Sequence, residues 1–115
     1  MNIKQILIET RTLLADIAHW TQGTYAIDDD GEHVAPESER ACAWCLLGAV
    51  DRINRLDGGG SSWGAEHAIG AASEALFGLS PMRVNDEYAS MRPLADRHAN
   101  VLKVLDRAIA DCVEA

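Results

Sequence analysis

Two cysteines three residues apart, Cys42 and Cys45, are the first residues whose types and spacing could do chemistry. On a helix, positions i and i+3 share a face, so both sulfurs would reach one zinc ion. A zinc site needs further ligands, and His19, His33, His67 and His98 are single and scattered. A dithiol redox motif places its first cysteine at a helix N-terminus, where the dipole lowers the thiol pKa. Here the helix is expected to begin a turn earlier, and no βαβ pattern surrounds it. The plain reading is a pair of core thiols, with no metal and no cofactor implied.

A sharper reading is a cysteine-dependent hydrolase or transferase. Cys45 would be the nucleophile, His98 or His67 the base, and Asn85 or Asp86 the orienting group. All the residue types are present, but no glycine-rich oxyanion loop adjoins the cysteine. Its expected place is mid-helix on an apolar face, where a thiol is buried and inert.

A non-catalytic site can be drawn from Trp20, Gln22, Tyr25, Trp44, Asn85 and Asp86. Aromatic walls with a few convergent polar groups are how binding pockets are built, and the occupant would be a small molecule or a partner protein. Each residue also has a structural reading. The two indoles anchor a core while their N–H groups reach polar partners. Asn85-Asp86 hydrogen-bonds nearby backbone, organising a loop and capping helix ends reached from it.

Two further stretches invite chemistry and do not carry it. Gly58-Gly59-Gly60-Ser61-Ser62 before a helix could cradle an anion, but the spacing and lysine of a phosphate loop are missing, so it reads as a linker. Asp28-Asp29-Asp30-Gly31 suggests calcium, yet with Gly31 at loop position six Ala26 falls where a carboxylate is required. A hairpin turn is preferred.

The elements that position these residues follow from periodicity. The densest apolar run, Ser38 to Leu56, predicts a central buried helix on the recurrence Cys42, Cys45, Leu46, Ala49, Ile53, Leu56. Gly48 inside it costs about 1 kcal/mol relative to Ala, which signals a packing or functional need. Residues 2–19 predict a first helix capped by Asn2, and Gln22-Gly23 supplies its stop. Residues 24–35 predict a small β-hairpin turning at Asp30-Gly31, with Ile27 opposite Val34 and Asp28 opposite His33. A third helix is expected from Ser61 or Ser62 to Phe77, ended by Gly78, and a last one from Pro93 or Asp96 to Val113. Residues 79–93 show no period and read as a long loop, a kind of segment that often carries function.

Composition bounds the rest. The 115 residues are one domain's worth, 1–115, with 48% hydrophobic and 24% charged residues, as in an ordinary globular protein. Aromatics make up only 5%, so Ala, Leu and Ile must fill the core, which favours closely packed helices. A net charge of −8 disfavours nucleic acid and anionic membrane surfaces as partners. No apolar run approaches the roughly 18 residues of a membrane span. Three cysteines with no secretion signal at the N-terminus point to free thiols in a reducing cytoplasm.

Trp20-Thr21-Gln22-Gly23-Thr24-Tyr25-Ala26, the acidic stretch ending in Gly31, Trp44-Cys45-Leu46-Leu47-Gly48-Ala49, Asn85-Asp86 and the run 101–109 occur in the order seen in one family. Over about residues 13–110 the chain resembles that family of small uncharacterised proteins of actinobacteria, other bacteria and their phages. The resemblance implies a small, mostly helical cytosolic domain, sometimes carried by mobile elements, and brings no catalytic residue with it. Residues 87–100 depart from the family pattern.

The expectation is a mainly α, compact four-helix domain with a central helix at about 38–56 and a hairpin at about 24–35. Its expected function is that of a non-catalytic binding or interaction protein, an accessory factor of a mobile element being one setting. Two other readings are the Cys45 enzyme and a structural subunit of a homo-oligomer.

Overall fold

The computed structural model describes residues 1–59 and 62–112. It is mainly helical, with a small two-stranded antiparallel sheet. The helices are α1 (Ile3–Leu14), α2 (Leu46–Leu56), α3 (Trp63–Phe77), α4 (Pro81–Asp86) and α5 (Leu94–Asp111), and the strands are β1 (Ala26–Ile27) and β2 (Ala43–Trp44). Helix α1 packs on α2, α3 and α5, and α5 also meets α3 and α4. Ile6, Leu7, Leu14, Leu46, Val50, Ile69, Val101, Val104 and Leu105 fill the core between them. Ala65 and Ala72 let α3 come close to its neighbours, as its small-residue face predicts. Among the described residues no helix is long and apolar enough to cross a membrane.

Asn2 caps α1 through a reciprocal box: its side chain accepts from Gln5 N–H at 2.8 Å, and the Gln5 side chain accepts from Asn2 N–H at 2.9 Å. The helix ends at Leu14, five residues before the expected 19, and a short 3-10 turn follows at Ile17–His19. Asp16 draws the chain out of the helix by accepting from Ala18 N–H at 2.9 Å. Two imidazoles then satisfy carbonyls that the helix end leaves open. His19 Nδ1 lies 3.0 Å from Leu13 O, and His98 Nε2 lies 2.6 Å from Leu14 O.

The central helix begins at Leu46, not at Ser38. Residues 42–45 are drawn into backbone pairing instead. Ala43 and Trp44 pair antiparallel with Ile27 and Ala26, Cys42 N–H donates to Ile27 O, and Thr21 N–H donates to Trp44 O. Apolar spacing in this run suits a buried strand as well as a helix, so tertiary pairing decided. The turn expected near Asp30-Gly31 is present, with Gly31 at φ 78°. Its register differs by one: Ile27 faces His33, and Asp28 N–H donates to Glu32 O. Asp28 sets that register, because its buried carboxylate accepts from the N–H groups of Asp30 and Glu32 and pairs with Arg40.

The expected loop 79–93 holds a helix, α4, entered through Ser80 as cap and Pro81 as first helical residue. Gly78 ends α3 in the left-handed region at φ 66°, and Ser73 Oγ donates to Leu79 O at 2.6 Å, which aims the chain into α4. Ser61, one expected cap of α3, lies outside the described residues, as does Val113. Ser62 takes the cap position, although its side chain makes no cap bond among the described residues.

Candidate functional site

Asn85 is the hub of the site. It is 1% exposed, and all four of its side-chain hydrogen-bonding positions are used. Its Oδ1 accepts from Trp20 Nε1 at 2.8 Å and from the backbone N–H of Leu46 at 3.0 Å. Its Nδ2 donates to Thr21 O at 3.1 Å and to Asp86 Oδ1 at 2.7 Å. The amide can face only one way, since a flip would set its NH2 against two donors. One side chain thus caps the first residue of α2 and ties it to α4 and to the 20–23 segment. Gln22 Nε2 donates to Asn85 O at 2.8 Å, and Gly23 N–H to Asp86 Oδ1 at 3.1 Å, closing the same junction.

Against this junction lies a recess of about 130 Å³, lined by Gly23 to Tyr25, Cys45 to Leu47, Pro81, Met82, Asn85 and Asp86. That is well below the roughly 300–1,000 Å³ of a typical small-molecule site. Tyr25 and Met82 on its rim are 54% and 53% exposed. The recess depends on a close backbone approach: Cys45 N–H donates to Tyr25 O at 3.2 Å, and a Cβ on Gly48 would fall 1.9 Å from that oxygen. This is the need that the mid-helix glycine signalled.

Of the six expected site residues, the structure gathers five and sets one apart. Tyr25, Asn85 and Asp86 line the recess, while Trp20 and Gln22 stand behind it as partners of Asn85. Trp44 belongs elsewhere: Nε1 donates to Pro36 O at 2.9 Å, and the Arg52 guanidinium lies 4.7 Å from its ring centre. It anchors the 36–40 connection.

Cys45 is not mid-helix but the N-cap of α2, half-buried and facing the recess, and its Sγ accepts from Gly48 N–H at 3.3 Å. Burial pushes its thiol pKa up, the nearby Asp86 charge adds to this, and the N–H groups of Gly48 and Leu47 oppose it. Cys42 stands before β2, three positions back along extended chain, so the two sulfurs do not share a helical face. Neither candidate base lines the recess. His98 is buried against Trp20, with ring centres 5.6 Å apart, and is bonded to Leu14 O, while His67 stacks on Trp63.

Sequence reasoning missed the contributions of Leu47, Pro81 and Met82. Ser80-Pro81, a cap residue followed by proline at the first helical position, was the signal for the element that carries two of them. Among the described residues no group of three or more His, Cys, Asp or Glu is placed to hold a metal ion.

Fold and site together define a mainly helical domain in which a six-residue helix is bolted through a buried asparagine to the N-terminus of a longer one. The chain belongs to the family described as Family of unknown function (DUF6197), whose model matches residues 1–111. No curated protein and no solved structure matches it.

Proposed function

We propose that this chain is a small, non-catalytic binding protein that takes one apolar side chain of a partner protein into the recess between Tyr25, the start of α2, and α4. The observation that carries this reading is the recess itself: its lining is mostly apolar, and its walls are held by the saturated Asn85 network. Its small volume suits a single side chain, and the exposed Tyr25 and Met82 extend the apolar surface around it. A cytoplasmic setting belongs to the same proposal, supported by the three free cysteines. So does an accessory role in a mobile element, which rests on the family resemblance alone.

The test is capture of partners from the host on the immobilised protein, compared between folded variants. Met82→Arg or Tyr25→Ser should abolish a specific capture that Met91→Arg, at a 95% exposed position outside the recess, leaves intact. Capture indifferent to Met82→Arg and Tyr25→Ser would overturn the proposal.

One observation favours a second reading, an enzyme using Cys45: the thiol sits at a helix N-terminus and faces the recess. Its raised pKa and the engagement of both candidate histidines elsewhere weigh against it. The third reading, a homo-oligomer subunit, would show as a concentration-dependent mass in light scattering.

A further inference from the structure

The wall of the recess carries one carboxylate, Asp86, and the way it is held says what should meet it. Both bonds it accepts fall on one oxygen, from Gly23 N–H at 3.1 Å and Asn85 Nδ2 at 2.7 Å, and both donors are neutral. Two arginines lie close enough in the chain to neutralise it, and neither pairs with its carboxylate. Arg97 Nη2 donates to the backbone oxygen of Asp86 at 2.8 Å, and Arg83 reaches toward Glu87 at 3.6 Å. Among the described residues Asp86 makes no ion pair, like Asp16, Asp29 and Asp30 and unlike the other six aspartates, and of these four only Asp86 lines the recess. The carboxylate is half-buried beside the apolar surfaces of Leu47, Pro81 and Met82. A net charge of −8 adds a long-range field of the same sign.

We infer that the occupant of the recess is a basic peptide segment, which seats one apolar side chain against Leu47 and Met82 and sets an adjacent Lys or Arg on the outer oxygen of Asp86. This rests on the recess being a docking site, as proposed above, and adds the charge of the partner. Apolar contact supplies the anchor, and the cation supplies selectivity and on-rate, because a neutral or acidic neighbour leaves the carboxylate unpaired or repelled.

The experiment is a titration of the isotope-labelled protein at low salt, followed through backbone amide shifts, with four end-blocked peptides: Lys-Leu-Lys, Ser-Leu-Ser, Glu-Leu-Glu and Lys-Ser-Lys. Lys-Leu-Lys should shift the amides of Gly23, Leu47 and Met82 and bind about three- to ten-fold tighter than Ser-Leu-Ser. Glu-Leu-Glu and Lys-Ser-Lys should bind more weakly than either. Asp86→Asn, which keeps an acceptor for Gly23 N–H, should bring the Lys-Leu-Lys to Ser-Leu-Ser ratio to about one, as should raising the salt to about 1 M. Equal binding of Lys-Leu-Lys and Ser-Leu-Ser would overturn the charge inference and leave the docking site standing. Equal binding of Lys-Ser-Lys and Lys-Leu-Lys would overturn it as diffuse attraction. If no peptide moves the recess amides, the docking site falls with it.

Discussion

The indole N–H of Trp20 donates to the side-chain oxygen of Asn85 at 2.8 Å, across 65 positions of sequence. The same oxygen accepts from Leu46 N–H, so one acceptor satisfies a buried indole and the first open donor of α2. Replacing Asn85 with Ala strands Trp20 Nε1, Leu46 N–H and Thr21 O together. A loss of about 3–5 kcal/mol in chemical denaturation is expected, the sum of two or three unsatisfied buried groups. A loss under about 1 kcal/mol would mean that water replaces the amide and that the hub is not structural.

Gly48→Ala should destabilise, against the helix-propensity trend that favours Ala. The added Cβ would meet Tyr25 O at 1.9 Å, and both are backbone-fixed, so strand and helix must part. The expected cost is about 2–3 kcal/mol. Gly70→Ala, on α3 with open space around it, is the control and should be neutral or stabilising. Equal effects at the two positions would refute the close approach.

The thiol of Cys45 should label slowly in the native protein at pH 7. Its pKa is raised by burial, so the thiolate is scarcer than in the unfolded chain, where such a group titrates near 8.5. A raised folded pKa has no effect on stability while the thiol is protonated in both states and costs stability once the unfolded thiol ionises and the folded one does not, so stability should decline as pH rises above about 8.5 and less so in Cys45→Ser. Labelling with an aromatic disulfide, resolved by residue on peptide digestion, checks the rate. Native Cys45 reacting faster than the unfolded chain would restore the nucleophile reading.

Asp28 should shape the acid limb of the stability curve. Its carboxyl is held below the ordinary carboxylate range, first by the N–H of Glu32, then by that of Asp30 and the charge of Arg40, against the opposing effect of burial. A lowered folded pKa means stability that is present above about pH 4 and lost as pH falls through the folded value. Asp28→Asn should therefore be less stable than the parent at pH 7 and lose less between pH 4 and pH 2, measured by urea unfolding at each pH. Parallel curves would show that Asp28 is not the acid-sensitive group.

Much of the fold was legible in the chain because it is written in local terms. The capping box at Asn2 and Gln5, the apolar faces of α1, α3 and α5, and Gly78 after Phe77 each depend on residues within a turn or two of one another. The mid-helix glycine announced a close approach without saying what approaches. Local pattern failed where two conformations could bury the same residues. The run from Ala41 to Leu47 is apolar enough for helix or strand, and the hydrogen bonds that Ile27, Tyr25 and Trp44 exchange across it turned its first half into strand and left Cys45 at the cap.

The candidate site was legible as residue types and not as an arrangement. The sequence alone determines that Trp20, Gln22, Tyr25, Trp44, Asn85 and Asp86 can supply aromatic walls and short polar side chains. Only the tertiary structure decided that Asn85 lies inside, saturated, that both bonds to the Asp86 carboxylate fall on one oxygen, and that Trp44 faces another way. The physical reason is that a buried amide is tolerated only where its partners converge, and here three of the four come from 39 to 65 positions away in the chain.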